Sequence, residues 1–358
     1  MSEYIFPLIE IIIGIFLLFA GGELFIKGAV ALSVILGIPQ IVIGLTVVSL
    51  GTSSPELLVS LNSVFKGSDA LAASNVIGSN IFNILVVLGI SSLITPLKVK
   101  SRIVRRDVPI LIAISSAVWA MTSTGLLTWQ AGVFLLFCLM LNTIWEINSL
   151  NEKDEDIKTA EPEIDTNNLT RGNFNILFNL VFGIFLLSFG SNILVNGSKD
   201  LATLLGVNET IIGLTIVATG TSLPELVTSI VAAFRGKTDL AIGNVVGSNI
   251  LNQLLILGSS TIFTGLDGLN ISQDLINTDI PIMVLTTFAC LPIFWTKGKI
   301  TRIEGFILLN IYTFYFLDKI FISSNFNYLN EFRLFIFIYS IVFTLVLSLS
   351  KKINLIRN

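Results

Sequence analysis

The chain has 358 residues, 53% of them hydrophobic and only 13% charged, with a formal net charge of −3. A soluble domain carries about 25% charged residues, and the apolar stretches here run unbroken for 18 residues or more. They read as membrane-spanning helices and not as the short alternating segments of a β-barrel. The sequence contains no histidine, which excludes imidazole metal ligation, histidine general bases and Ser-His-Asp chemistry.

Eleven spans are predicted, at 7–29, 40–65, 70–97, 107–124, 128–147, 173–197, 209–234, 239–264, 277–295, 301–320 and 332–350. The N-terminal Met-Ser-Glu-Tyr lacks the basic region of a cleavable signal peptide, so the first span is expected to be retained. Its GIFLLFAGGELFIKGAV, from Gly14, matches GIFLLSFGSNILVNGSK, from Gly183, at an offset of 169 residues. The second and third spans contain GTSSPE (Gly51–Glu56) and GSNIFN (Gly78–Asn83). The seventh and eighth contain GTSLPE (Gly220–Glu225) and GSNILN (Gly247–Asn252), again 169 residues on. Between Gly44–Gly89 and Gly213–Gly258, 25 of 46 positions are identical. Cys138 and Cys290 lie inside apolar spans and read as small buried residues. Residues 148–172 form an acidic, solvated linker between the halves.

Each half thus holds five spans. An odd number of crossings turns the second copy upside down, the inverted-repeat architecture of many secondary transporters. The expected fold is an all-α polytopic membrane protein: two inverted five-helix repeats (1–147 and 173–320), the linker 148–172, and an extra C-terminal span with a basic tail (321–358). With the N-terminus outside, the inside segments hold 17 of the 21 Lys and Arg and the outside segments 4. That bias orients the N-terminus outside and the C-terminus in the cytoplasm.

Pro55 and Pro224 remove a backbone donor in mid-span and should break each helix, releasing carbonyls around Ser49–Thr52 and Ala218–Thr221. Glu56 and Glu225 follow directly. A charge at the centre of a spanning helix costs about 2.5–3.5 kcal/mol on insertion scales, and here the cost is incurred twice in matching contexts. Thr52 and Glu56 are four apart and share a helical face, as do Ser79 and Asn83. Two inverted copies meeting at the midplane would bring together Glu56, Glu225, Ser79, Ser248, Asn83 and Asn252, with Thr52 and Thr221 offering backbone oxygen. This all-oxygen lining suits hard cations such as Ca²⁺ and Na⁺. Two carboxylates balance one Ca²⁺, or two or more Na⁺. The glycines of GSN are expected to serve close helix approach. Glu10 and Glu23 have Asn179 and Asn192 as counterparts and are expected at a cavity or interface, outside the ion site.

At these residues the sequence resembles the calcium/cation antiporter superfamily, whose hallmark is a pair of inverted repeats carrying GTS-x-PE followed by GSN. The resemblance spans roughly residues 7–320. It implies a sodium/calcium exchanger of the microbial type, with Glu56 and Glu225 as central acidic ligands and carbonyl oxygens from Thr52 and Thr221. Ser53, Ser79, Ser222, Ser248, Asn83 and Asn252 would complete the sodium and calcium sites. Family members that read GSNI-x-D in the second repeat carry an aspartate where this chain has Asn252, which lowers the site charge by one and implies potassium independence. The span 332–350 exceeds the common ten, and no large calcium-binding insert is present.

The sequence therefore points to a secondary antiporter, not an enzyme, that exchanges Ca²⁺ for Na⁺ by alternating access. The first and sixth spans, glycine-rich and less charged, are the expected moving part. H⁺/Ca²⁺ exchange on the same carboxylates is the alternative within transport; an intramembrane hydrolase and a channel are rivals of other classes. No cofactor and no nucleic-acid partner are expected. The partners are the transported ions and the lipid bilayer, the state monomeric, and the location a bacterial or archaeal plasma membrane.

Overall fold

The computed structural model describes residues 2–149, 172–205, 218–295, 298–323, 331 and 333. Most of the acidic linker, the start of the seventh predicted span and nearly all of the extra C-terminal span lie outside these residues.

The described chain is almost wholly helical. In order, the helices are α1 (Ser2–Leu36), α2 (Gln40–Thr52), α3 (Ser54–Phe65), α4 (Asp69–Ile94) and α5 (Val108–Thr122). They continue with α6 (Trp129–Ser149), α7 (Gly172–Leu204), α8 (Leu223–Phe234), α9 (Thr238–Phe263), α10 (Leu275–Trp295) and α11 (Arg302–Ser323). Seven of them are long and apolar enough to cross a membrane, and the bent pair α2 and α3 makes an eighth. α5 and α8 are shorter, although a π turn, Ile103–Asp107, extends α5 at its start.

The helices sort by burial. In α4 and α9, 78% and 89% of the apolar window is buried, against 17% in α6 and 11% in α11. The outer helices turn Phe16, Phe137, Phe185 and Phe306 outward. Such continuous apolar surface is a liability in water and the expected exterior in lipid.

α1 and α7 lie antiparallel along their full length. Gly14, Gly21 and Gly28 rest on Leu194, Leu187 and Leu180, so the partner number falls as the residue number rises. Reciprocally, Gly183, Gly190 and Gly197 rest on Phe25, Leu18 and Pro7. These two glycine triplets are equivalent under the 169-residue offset. A Cβ at Gly14 would come within 2.7 Å of the Leu194 backbone nitrogen, and one at Gly183 within 2.8 Å of that of Phe25. Only glycine allows this approach, the usual small-residue route to helix packing in lipid. These two equivalent helices therefore run in opposite directions.

Contacts between helix ends define two faces of the bundle. At one, β1 (Leu97–Lys98) pairs antiparallel with β4 (Lys299–Ile300). Nearby, Lys100 bridges Asp239 at 2.8 Å, Arg102 and Arg106 both grip Glu146, and Arg235 pairs with Glu23. At the other, β2 (Leu126–Leu127) pairs with β3 (Leu269–Asn270). Asp69 there accepts from the Asn270 backbone and side chain, both at 3.1 Å, and Lys319 meets Asp279 at 2.7 Å. The first face gathers basic residues that the charge bias puts inside.

A leucine at Gly190 should wedge α1 away from α7. Overpacking of a tight contact costs about 1–3 kcal/mol, so Gly190→Leu is expected to unfold at lower temperature than the parent in detergent, while Leu177→Ala on the exposed face of α7 leaves the transition within a degree or two of the parent.

Candidate functional site

The site is built on the two broken helices. α2 ends at Thr52 and α3 begins at Ser54, bent by 44° from it. Ser53, between them, has φ −82° and ψ 4°, and Pro55 occupies the first turn of α3. The second copy repeats this: Ser222 has φ −89° and ψ 7°, and Pro224 sits in the first turn of α8. Proline supplies no N–H for the preceding turn and is pre-set for a helix start, so the break falls where the sequence puts it. Not all of the carbonyls expected to be released are open. Ser49 O accepts the Ser53 amide at 2.9 Å and Leu50 O the Ser54 hydroxyl at 2.8 Å. Thr219 O accepts the Ser222 amide, and Gly220 O the hydroxyl of Ser191 on α7.

Glu56 and Glu225 sit in the first turns of α3 and α8 and are fully buried. The two halves hold each other's carboxylate. Ser222 Oγ donates to Glu56 Oε1 at 3.0 Å, and Ser53 Oγ to Glu225 Oε1 at 2.9 Å. Thr221 Oγ1 donates to Asn75 Oδ1 at 3.1 Å, and Thr52 Oγ1 to Asn244 Oδ1 at 3.0 Å. Asn75 then donates back within its own half to Glu56 O (3.2 Å) and Ser60 Oγ (2.9 Å), and Asn244 likewise to Glu225 O (3.3 Å) and Ser229 Oγ (2.9 Å). Every bond has its counterpart 169 residues on. Such reciprocal exchange is what a twofold relation between two copies produces.

α4 and α9 complete the lining. Ser79 lies 2.9 Å from Ser222, hydroxyl to hydroxyl. Asn83 Nδ2 donates to Asn249 Oδ1 at 3.1 Å. Helix geometry loosens to a π turn from Asn83 and from Asn252, a feature frequent at functional sites. Gly247 lets α9 approach the Leu45 carbonyl of α2, where a Cβ would come within 2.5 Å; Gly78 meets nothing within 4 Å.

Of the ten expected site residues nine are buried and Thr221 partly so. Hydrogen bonds tie Glu56, Glu225, Ser53, Ser79 and Ser222 across the two halves and hold Thr52, Thr221 and Asn83 to Asn244, Asn75 and Asn249, whereas Ser248 Oγ and the Asn252 amide have no such bond among the described residues. One relation differs from the spacing argument. The Thr52 hydroxyl does not act beside Glu56; the break turns it across to Asn244 of the other half. Several buried polar atoms have no hydrogen-bond partner among the described residues: Glu56 Oε2, Glu225 Oε2, Ser248 Oγ, Asn83 Oδ1 and both amide atoms of Asn252. No Lys or Arg among the described residues forms an ion pair with either glutamate. Free acceptor oxygens around two buried acids are a donor set for a hard cation.

Glu10 and Glu23 stand apart from this cluster. Glu10 packs on Gly197 at the α1–α7 contact, and Glu23 is paired with Arg235 and Lys27. Cys138 and Cys290 are free thiols. The sequence reading passed over Asn75, Asn244, Ser60, Ser229 and Asn249, which brace the site. Their signal was present: each is identical in the two repeats.

Apolar helices around a buried, duplicated pair of acids within a ring of hydroxyl and amide oxygens define a polytopic α-helical membrane protein of the cation antiporter class. The sequence profile described as sodium/calcium exchanger protein matches residues 6–147 and 175–321, and the chain belongs to that family. The putative antiporter CaxA of Alkalimonas amylolytica is 35% identical over 84% of this chain and 94% of its own length. The sodium/calcium exchanger MaX1 of Methanosarcina acetivorans is 31% identical over 84% of this chain and 95% of its own. Among solved structures, the sodium-calcium exchanger NCX_Mj superposes with a TM-score of 0.73 at 28% identity, covering 86% of this chain and 97% of that one.

Asn244 and Asn75 make equivalent bonds, but Asn244 is fully buried and Asn75 only partly. A buried group left unsatisfied costs about 1–3 kcal/mol. Asn244→Ala should therefore lower the thermal unfolding temperature more than Asn75→Ala does, when the two variants are compared in the same detergent.

Proposed function

We propose that this protein exchanges Ca²⁺ for Na⁺ across its membrane. The observation that carries the reading is the pair of buried carboxylates, Glu56 and Glu225, with free oxygens and no basic counter-charge among the described residues. An isolated ionised carboxylate in a low-dielectric interior costs on the order of tens of kcal/mol by Born solvation. A pair of them needs cations, or protons, to persist. Ca²⁺ neutralises both at once, and two Na⁺ do the same, so the two ions compete for one set of oxygens. The ligand set is Glu56, Glu225, Ser53, Ser79, Ser222, Ser248, Asn83 and Asn252, with backbone oxygen from Thr52 and Thr221. MaX1 and NCX_Mj, both named sodium/calcium exchangers, support this choice of ions.

Exchange follows from charge. A bare −2 site resists burial between two closed gates, whereas a neutralised one can pass from one open side to the other. Binding of either ion thus permits the same rearrangement, and no covalent step is required. The antiparallel packing of α1 on α7 and the reciprocal bonding of the halves support an inverted ten-span core, with α1 and α7 as its moving part. The basic face at Lys98, Arg102, Arg235 and Lys299 would be cytoplasmic, with the N-terminus outside, in a bacterial or archaeal plasma membrane. Asn252 in place of an acid supports a site that takes no K⁺.

The test is calcium flux in proteoliposomes. A Na⁺ gradient at fixed pH is expected to drive Ca²⁺ uptake, and a pH gradient without Na⁺ is not. Flux with the pH gradient alone would replace this reading by H⁺/Ca²⁺ exchange. Glu56→Gln and Glu225→Gln are each expected to reduce Na⁺-driven flux at least about a hundredfold, the loss of roughly 2.7 kcal/mol or more of ion stabilisation, with unchanged yield of folded protein. Parental flux in both variants would remove the central claim.

A further inference from the structure

The twofold pattern of bonds fails around Asn80 and Asn249, and a residue specific to the second half fills the gap there. Asn249 and Asn80 are equivalent under the 169-residue offset, as are Asn252 and Asn83. Asn249 Nδ2 donates to Asn80 O at 3.3 Å, and Asn249 Oδ1 accepts from Asn83 at 3.1 Å. The mirror-image bonds would run from Asn80 to the Asn249 carbonyl and from Asn252 to Asn80. Neither forms. The Asn80 amide faces the sulfur of Met283 on α10 at 3.6 Å, its Oδ1 has no partner, and both amide atoms of Asn252 are unpartnered. The Asn249 carbonyl instead accepts Gln253 Nε2 at 3.3 Å, and the same nitrogen donates to Ser115 Oγ on α5 at 3.0 Å. Gln253 and Ser115 are both buried. In the first half the position of Gln253 is held by Ile84, which has no polar atom to offer.

We infer that Gln253 is a positioning residue for one ion ligand, the amide of Asn83, and that it makes the two asparagines of the cage inequivalent. The inference rests on the exchanger reading above. Gln253 ties α9 to α5 and fixes the Asn249 backbone. Asn249 in turn holds Asn83 by its nitrogen, which leaves Asn83 Oδ1 as an aimed, unshared acceptor. Asn252 has no such holder among the described residues, so no protein bond fixes its amide toward one ion. One rigid and one adjustable amide oxygen suit a site that must accept ions of different charge and number. Gln253 itself touches no ion on this account; it acts through Asn249, as outer-shell partners of metal ligands do.

The experiment measures Ca²⁺ binding to the purified full-length protein in Na⁺-free detergent by calorimetry, alongside Na⁺-driven exchange in proteoliposomes. Outer-shell losses weaken metal binding about tenfold or more, so Gln253→Ile, which installs the first-half residue, is expected to raise the Ca²⁺ Kd about tenfold. In an Asn83→Ala background the same change should alter Kd by less than about twofold, and in an Asn252→Ala background it should keep its full effect. A role confined to helix packing would add the same factor in both backgrounds, and that result overturns the proposal, as does an unchanged Kd in Gln253→Ile alone. Should Gln253→Ile fail to fold, Ser115→Ala removes only the α5 tether and must show the same dependence on Asn83. A parent protein that binds Ca²⁺ with this Gln253 effect but shows no Na⁺-driven exchange sinks the exchanger reading and leaves the positioning role standing. Exchange without the Gln253 effect does the reverse.

Discussion

Two carboxylates buried without a basic partner are the constraint on which the rest of this structure depends. Glu56 and Glu225 are fully buried, and no Lys or Arg among the described residues pairs with either. Each keeps one oxygen occupied by a serine of the opposite half and one oxygen free. The serine bonds orient the acids; they do not neutralise them. The acids accept from serine hydroxyls, with threonine hydroxyls and asparagine amides beside them, a chemistry that suits cations with a preference for hard ligands.

The way the acids are held explains why the chain is duplicated. A polar group inside lipid needs partners, and the nearest partners available to each half are the matching groups of the other. Ser53 serves Glu225 while Ser222 serves Glu56, and Thr52 and Thr221 cross in the same manner. Each repeat thus supplies part of the other's site. The glycine triplets of α1 and α7 do the corresponding work on the outside, where the backbones approach until no side chain fits between them.

Strict symmetry would make the two sides of the cage bind alike. The chain departs from it at a few positions, and each departure has a local physical consequence. Met283 draws the Asn80 amide aside, Gln253 takes over the Asn249 carbonyl, and Asn252 is left without a protein partner. Away from the cage, Glu23 pairs with Arg235 at the basic face, whereas the equivalent positions carry Asn192 and Lys66 and cannot form that pair.

Much of this was legible in the amino-acid sequence. Apolar runs of membrane length, the doubled proline-glutamate break and the duplicated GSN segments follow from periodicity and from the cost of a charge in lipid, and they point to ten residues, nine of which the fold buries. Pro55 and Pro224 break their helices where a missing N–H requires it, because that rule is local. The partners of the site were not local. Spacing suggested that Thr52 works beside Glu56, but the bend between α2 and α3 sends its hydroxyl to Asn244 in the other repeat. Asn75, Asn244 and Asn249 carried the same duplication signal as the glutamates, yet an asparagine costs far less to bury than a charge and so drew no notice. The sequence alone determined that two acids must be buried in an oxygen-rich, duplicated membrane fold. Which hydroxyl holds which acid, and which asparagine oxygen is left free, was decided only by tertiary structure, because those bonds join residues up to 192 positions apart whose orientation depends on how the two halves pack.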